Sequence, residues 1–553
     1  MLSKKIKWDF WTWVTLIIAL VFTLFLIYPL FSLFLSSFKD PVTNEWSMTN
    51  FVRFFSRKYY YQGLIHSFKV TTCTTILAVA IGVPVAYFMT SYKVKLKGLV
   101  EVLIIISMLS PPFIGAYSWV LLCGRSGVVT EFFRDVLGIK LPTIYGFTGI
   151  LLVFTLKLYP FIYLYVSGAL KKIDVSLSEA AESLGCSTVK KVCNCTIIMP
   201  LIMPTLLSGA LLVFMNAMAD FGTPMLIGEG YNVMPVLIYS EFVGEMGGSA
   251  NFAAAMAAIL VVITIVLFLG QKYIVNKKSF VMSSIRPIQP KELKGIKGIL
   301  MHVFIYFVVF LSIIPQITVI YTSFLKTRGS MFVREFSFES YEKVFSRMGN
   351  AIVNTYVYGL TAIIIIIIMG MFIAYISTRK KNVLTGIIDT MTMFPYIIPG
   401  SVIGITLLLA FNNRPILLSG TAAILVIAFV IRRMPYTLRS SAAILYQISP
   451  SLEEASISLG CSPVKTFFKI TAMMMLPGVL SGAILSWITV INELSSSVIL
   501  YTGVTRTMSV TIYAEVIRAS YGTAAALSTI LTITTIVSLM IFFKITGGKD
   551  VNI

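Results

Sequence analysis

The sequence predicts an all-α membrane protein of about twelve transmembrane helices, arranged as two parallel six-helix repeats. Long apolar blocks predict the helices, and an internal repeat of about half the chain length predicts the arrangement. Of 553 residues, 57% are hydrophobic and only 12% charged, about half the charge a soluble chain of this length carries. A helix needs about 20 apolar residues to cross a bilayer. Candidate blocks run over 12–35, 64–90, 99–122, 144–170, 200–227, 251–271, 298–324, 351–377, 384–411, 416–445, 477–500 and 523–543, with Arg432 and Arg433 interrupting the tenth. In lipid every backbone polar group must be satisfied within its own segment, so such blocks are read as helices.

The formal net charge of +21 does not point to nucleic acid, because the basic residues gather in short connections on one side. With both termini in the cytoplasm, the inner segments hold Lys4, Lys5 and Lys7, then Lys93, Lys95 and Lys97, then Lys171, Lys172, Lys190 and Lys191. The stretch from Lys272 to Lys297, Arg379 to Lys381, and Lys544 and Lys549 continue the series. The outer loop 229–250 has no Lys or Arg but carries Glu229, Glu241 and Glu245; the outer loop 326–350 holds five basic residues and is an exception. The bias follows the positive-inside rule and predicts a multi-pass protein of the cytoplasmic (inner) membrane, in contact with the lipid bilayer and not with nucleic acid. The first block is too long for a secretory signal and lacks a small-residue cleavage site, so it is expected to stay as an anchor.

The repeat is plain at two loops. Residues 176–185 read SLSEAAESLG and residues 451–460 read SLEEASISLG, 275 positions apart. The same offset takes Lys157-Leu-Tyr-Pro160 to Arg432-Arg-Met-Pro435; beyond the loop it becomes 273, taking Pro204 to Pro477 and Ser208-Gly-Ala210 to Ser481-Gly-Ala483. The expected organisation is a first half over 1–271 (core from about 64, loop 171–199), a basic cytoplasmic linker over 272–297, and a second half over 298–553 (core about 351–543, loop 446–476). Pro111, Pro112, Pro395 and Pro399 fall inside blocks and should break helices, which is tolerated against a cavity or a neighbouring helix.

Each repeated loop reads as a helix, a turn and a second helix. Ser176-x-x-Glu179 and Ser451-x-x-Glu454 fit a capping box. Leu177, Ala180, Ala181 and Leu184 form an apolar stripe at helical spacing, with Glu179 off it. Gly185 and Gly460 suit the left-handed residue that ends a helix. Ser187, and Ser462 before Pro463, then cap short basic helices over Val189–Cys193 and Val464–Lys469. Such a protrusion suits docking, with the stripe entering a partner's groove and charges at the rim.

Glu179-Ala-Ala181 followed by Gly185, and Glu454-Ala-Ser456 followed by Gly460, resemble the EAA loop of type I ABC importer permeases. The resemblance covers most of the chain. It implies the type I transmembrane fold, with Glu179, Ala180, Ala181, Gly185, Glu454, Ala455, Ser456 and Gly460 coupling to two ATP-binding subunits on the cytoplasmic side. It also implies an extracytoplasmic solute-binding protein as a third partner, and alternating access by rocking of the halves. Ser456 departs from the pattern's second Ala, Pro200 is displaced by two residues, and Met473 stands where the second copy's Pro is expected. No G-x-x-x-x-G-K-[ST] run occurs: Gly548-Lys549 lacks the first Gly and is followed by Asp550. ATP is therefore expected on the partner subunits, with no cofactor on this chain and no catalytic residue; the chain is not expected to be an enzyme.

Four charged residues inside blocks are candidates for the translocation path. Asp220 and Glu493 match under the 273 offset, Lys157 and Arg432 under 275. Asp220 lies roughly 24 Å of helix beyond Pro204, and Lys157 roughly 20 Å before Leu170, so all four fall at similar depth. The carboxylates either line the path or pair with basic residues and hold the bundle. The segments Asn216–Pro224, Asn492–Ser497 and Thr507–Tyr513 resemble fused permeases of the ferric-iron group, whose neighbours move 2-aminoethylphosphonate, thiamine or sugar phosphates. The resemblance favours ferric iron as cargo, with those solutes as alternatives, and carboxylates suit a hard cation.

Other classes fit less well. An ion-driven secondary transporter also has parallel halves but has no use for the capped loops. No resident metal site is expected: Cys193 and Cys195 lack a third ligand, and Met473-Met-Met475 reads as helix packing and not as a copper path. His66 and His302 sit apart at block ends, outside any catalytic cluster.

Overall fold

A computed structural model of the chain describes residues 9–41, 43–109, 112–171, 173–174, 198–244, 249–277, 290–329 and 331–545. Helices dominate them. Strands Leu325–Arg328 and Met331–Phe336 form an antiparallel hairpin. Among the described residues nine helices are long and apolar enough to cross a membrane: Phe10–Ser37, Lys58–Ser91, Phe147–Leu170, Met199–Ala219, Ala250–Gly270, Ile296–Ser323, Gly349–Arg379, Pro463–Ile491 and Tyr521–Phe542. The all-α membrane fold stands, but three of the twelve expected blocks are not single apolar rods.

Each exception has a local cause. The 99–122 block is two helices, Lys97–Leu109 and Pro112–Cys123, the second opening on a proline. The 384–411 block bends by 112° between Val383–Ile397 and Gly400–Ala410, and counting this bent pair as one span makes ten. Pro399 sits at the break as the residue before the second helix, where its ring disfavours continuation from the preceding residue. The third block forms the 26-residue helix Ala422–Gln447, but it carries Arg432, Arg433 and Arg439.

The chain forms two compact units that interleave along the sequence. One comprises residues up to Phe54, Ile238–Ile259 and Ser323–Lys549; the other comprises Phe55–Leu237 and Leu260–Thr322 with the last four residues. In the first unit the N-terminal span lies along second-half helices, with the Trp11 ring 4.3 Å from that of Tyr375 and tilted against it, and Phe25 5.7 Å from Phe411. In the second unit Met301, Ile305, Val308 and Val309, from the span that opens the second half of the chain, join a buried cluster with Val85, Tyr159 and Ile162.

Close helix packing repeats with the sequence. A Cβ on Gly82 would meet Ile162 at 2.7 Å, and one on Gly370 would meet Thr437 at 3.4 Å. A Cβ on Gly209 would meet Tyr165 at 3.2 Å, and one on Gly482 would meet Ser440 at 2.8 Å. Ile162 and Thr437, like Tyr165 and Ser440, are 275 residues apart, so the offset read from the loops also relates helix contacts. In a membrane such small residues let backbones approach, and dispersion replaces the missing hydrophobic drive.

Candidate functional site

The four charged path candidates form two ion-paired clusters, one in each unit. Lys157 Nζ lies 2.7 Å from Asp220 Oδ2, with side chains 19% and 9% exposed. Arg432 donates to Glu493, and Arg433 donates to the other oxygen of the same carboxylate; the Glu493 side chain is 1% exposed. Arg433 was not among the sequence candidates. Its signal was the Arg-Arg pair itself: a guanidinium next to Arg432 on one helix reaches the same acid.

The carboxylates occupy equivalent places in the backbone. Asp220 follows the end of Ile198–Ala219, and its Oδ1 accepts the Thr223 N–H at 3.0 Å, at the start of Gly222–Ile227. Glu493 follows Ala472–Ile491, and its Oε1 accepts the Ser496 N–H at 3.1 Å and the Ser496 hydroxyl at 3.2 Å, just before Ser497–Leu500. Each acid therefore joins a basic side chain on one helix to a freed backbone N–H where the next helix breaks. The Arg432 guanidinium needs a glycine opposite: a Cβ on Gly400 would sit 2.7 Å from its Cζ. Buried charges of this kind persist only when paired and hydrogen-bonded.

The first repeated loop, with the coupling candidates Glu179, Ala180, Ala181 and Gly185, lies outside the described residues. The second is described. Its helix runs Pro450–Ser458 and is capped by Ser449, whose hydroxyl oxygen accepts from Ser451 N. The expected box between Ser451 and Glu454 is displaced because Pro450 takes the first helical position, where its missing N–H costs nothing. The turn closes as a Schellman motif: Gly460 sits at φ +91°, Cys461 N–H donates to Ser456 O at 3.1 Å, and Gly460 N–H donates to Ile457 O at 2.9 Å. Ser462 then accepts from Lys465 N as expected. The short second helix is not separate, however: Pro463 opens a 29-residue span to Ile491, because no further glycine or proline intervenes before Pro477.

Around the Pro450–Ser458 helix the side chains divide between exposed and anchored ones. Glu454 and Ala455 are exposed, with Leu452 43% and Leu459 86% exposed. Leu452, Ala455 and Leu459 fall on one face at helical spacing. Ser456 is buried, and its hydroxyl meets that of Thr466 at 2.9 Å, so the departure from Ala supplies a tie to the next helix. Glu453, missed from the sequence, turns inward: its carboxylate accepts from Tyr375 Oη at 3.0 Å and Arg379 Nε at 3.2 Å.

Comparison with known proteins matches this architecture. The family described as "Binding-protein-dependent transport system inner membrane component" matches residues 78–280 and 363–546, once in each half. The ferric transport system permease protein FbpB of Actinobacillus pleuropneumoniae is 29% identical over 544 residues, covering 97% of this chain and 78% of the relative. The putative ferric transport system permease protein FbpB 1 of Haemophilus influenzae is 28% identical over 499 residues, covering 89% and 78%. The spermidine/putrescine transport system permease protein PotB of Escherichia coli is 28% identical over 177 residues, covering 32% and 64%. With the family matched twice along a chain of membrane-crossing helices, this protein belongs to the binding-protein-dependent transport system inner membrane components.

Proposed function

We propose that the chain is the translocating subunit of an importer driven by separate ATP-binding subunits, and that its cargo is ferric iron. The observation that carries the coupling is the helix Pro450–Ser458, anchored by Glu453 and Ser456 while Leu452, Ala455 and Leu459 remain exposed. An exposed apolar row on an otherwise anchored helix fits a partner's groove, with Glu454 and, by the repeat, Glu179 at the rim. Iron is supported by two relatives named as ferric transport permeases that span most of the chain.

In this reading both termini are cytoplasmic, a binding protein delivers the cargo from outside, and ATP-driven closure of the partner subunits shifts the path from inward- to outward-facing. A shift requires different contacts in the two states, and the loops at 176–195 and 451–470 are where nucleotide state enters. The saturated pairs at Asp220 and Glu493 support a role in holding broken helices in register.

The test is reconstitution of the chain with its ATP-binding subunits and binding protein in vesicles, followed by uptake of labelled ferric iron. ATP-dependent uptake is expected. Uptake that follows a proton gradient without ATP would favour an ion-driven carrier, and calorimetry of the binding protein against iron, 2-aminoethylphosphonate, thiamine and sugar phosphates decides the cargo.

A further inference from the structure

The repeat is broken at two positions that touch each other in the second half. Glu453 corresponds to Ser178 under the 275 offset that relates the loops. Arg379 ends the Gly349–Arg379 helix. That helix aligns with Lys58–Ser91 at an offset of 288, taking Gly82 to Gly370, Ala86 to Ala374, Tyr87 to Tyr375 and Thr90 to Thr378, and so Ser91 to Arg379. The alignment is anchored in space, since Gly82 abuts Ile162 and Gly370 abuts the equivalent Thr437. An acid–base pair in one half thus stands where the other half has two serines.

The pair is a junction of three helices. Arg379 Nε donates to Glu453 Oε1 at 3.2 Å, and Arg379 Nη2 donates to the carbonyls of Leu445 and Ile448 at 3.3 and 2.6 Å. Those carbonyls lie at the C-terminal end of the Ala422–Gln447 helix, where the Leu445 oxygen also accepts the Ile448 N–H. Tyr375 Oη donates to the second carboxylate oxygen at 3.0 Å. The side chains of Arg379 and Glu453 are 14% and 12% exposed. Tyr375 is packed between Trp11, at 4.3 Å, and Phe467, at 4.8 Å, so the junction also meets the N-terminal span and the helix that follows the docking loop. One planar guanidinium serves an acid from Nε and two carbonyls from Nη2, a fixed fork that the single nitrogen of a lysine does not reproduce.

We propose that Glu453, Arg379 and Tyr375 are positioning residues that make the second coupling loop a stiff lever, and that the two loops are mechanically unequal because Ser91 and Ser178 deny the first loop this clamp. The proposal rests on the importer reading. Force entering through Leu452, Ala455 and Leu459 passes through the clamp into the Gly349–Arg379 and Ala422–Gln447 helices without first bending the loop. In the first half the corresponding positions are Ser91 and Ser178, which carry no charge.

The test compares the complete complex, with ATP-binding subunits and iron-loaded binding protein in vesicles, carrying either the wild-type chain or the double variant Arg379→Ser/Glu453→Ser. Replacing both partners leaves no unpaired buried charge and reproduces the first half's composition. The variant is expected to retain its ATP-binding subunits and their ATP hydrolysis, while iron taken up per ATP hydrolysed falls about fivefold or more, in the range of a working allosteric coupling. A merely structural pair would lower the amount of complex and leave that ratio unchanged. Equal uptake per ATP in variant and wild type overturns the clamp. Absence of ATP-dependent iron uptake by the wild-type complex overturns the importer reading itself. Should the double variant fail to accumulate, Arg379→Lys, which keeps the charge and loses the fork, carries the same expectation and the same refutation.

Discussion

Lys157 meets Asp220 at 2.7 Å, fastening the middle of the Phe147–Leu170 helix to the break that follows Ala219. The other unit builds the same fastening with two arginines on Glu493. The two clusters differ in how much charge is stranded when the acid is neutralised. Glu493→Gln leaves two largely buried guanidiniums without a counter-ion and should cost about 3–5 kcal/mol. Asp220→Asn leaves one ammonium that is 19% exposed, and long basic side chains reach for water where they can, so its cost should be smaller. Thermal unfolding of the purified variants gives the order, and an Asp220→Asn variant at least as unstable as Glu493→Gln would falsify this account of the clusters.

Neutralising both acids also addresses transport. If the pairs hold broken helices in register, the double variant Asp220→Asn/Glu493→Gln should lose protein level and uptake together, with uptake per molecule of folded protein changing by less than about twofold. A stable double variant with uptake per molecule reduced by an order of magnitude would instead place the carboxylates on the path.

The repeat and the helix and turn of its second loop were legible in the sequence because they rest on local signals: a serine before a helix, a glycine after it, an apolar row between. The offsets put Asp220 and Lys157 at similar depth, with pairing as one of two readings, since both members recur in the second half. Arg433 was not legible as a partner because its neighbour Arg432 already satisfied the match, and two donors on one carboxylate show no periodicity. Glu453 was hidden for a different reason: its partners Tyr375 and Arg379 lie more than 70 residues away on another helix. Among the described residues the span count fell short of twelve where composition alone sees a continuous apolar block and the backbone breaks at Pro112 or Pro399, or where three arginines lower the apolar content of Ala422–Gln447. The Ser451–Glu454 box failed because Pro450 is a stronger local start.

The glycines at the helix crossings predict an inequality between the halves. Alanine at position 82 would place its Cβ 2.7 Å from Ile162 Cβ and 2.9 Å from the Tyr159 carbonyl oxygen, whereas at 370 its closest neighbour is a methyl at 3.4 Å. Backbone cannot yield as a side-chain tip can, and overpacking costs about 1–3 kcal/mol. Gly82→Ala should therefore be less stable than Gly370→Ala by about that amount, measured by thermal unfolding in the same detergent. Equal melting temperatures would show that the Lys58–Ser91 helix shifts freely against Phe147–Leu170.

The turn at Gly460 isolates backbone strain from contact. No heavy atom lies within 4 Å of where its Cβ would be, yet its φ is +91°, so Gly460→Ala introduces no clash and only the left-handed penalty of about 1–2 kcal/mol. If the turn must be closed for the helix to dock, affinity for the ATP-binding subunits should fall by about tenfold, and Gly460→Asn, which tolerates this region better, should lose less. Identical affinities for the alanine and wild-type chains would mean that the turn opens on binding.

Leu459 offers the sharpest separation of folding from docking. It is 86% exposed, so Leu459→Ala removes almost no buried surface from the chain itself and should leave its stability within about 0.5 kcal/mol. If the same side chain enters a groove on the partner, its truncation forfeits burial worth about 1.5–3 kcal/mol at the interface. Leu452→Ala, from a side chain already more than half covered, should cost the interface less and the fold more. Binding of the purified ATP-binding subunits to the three chains measures the difference directly, and a Leu459→Ala chain that binds as tightly as wild type would move the docking face elsewhere on the loop.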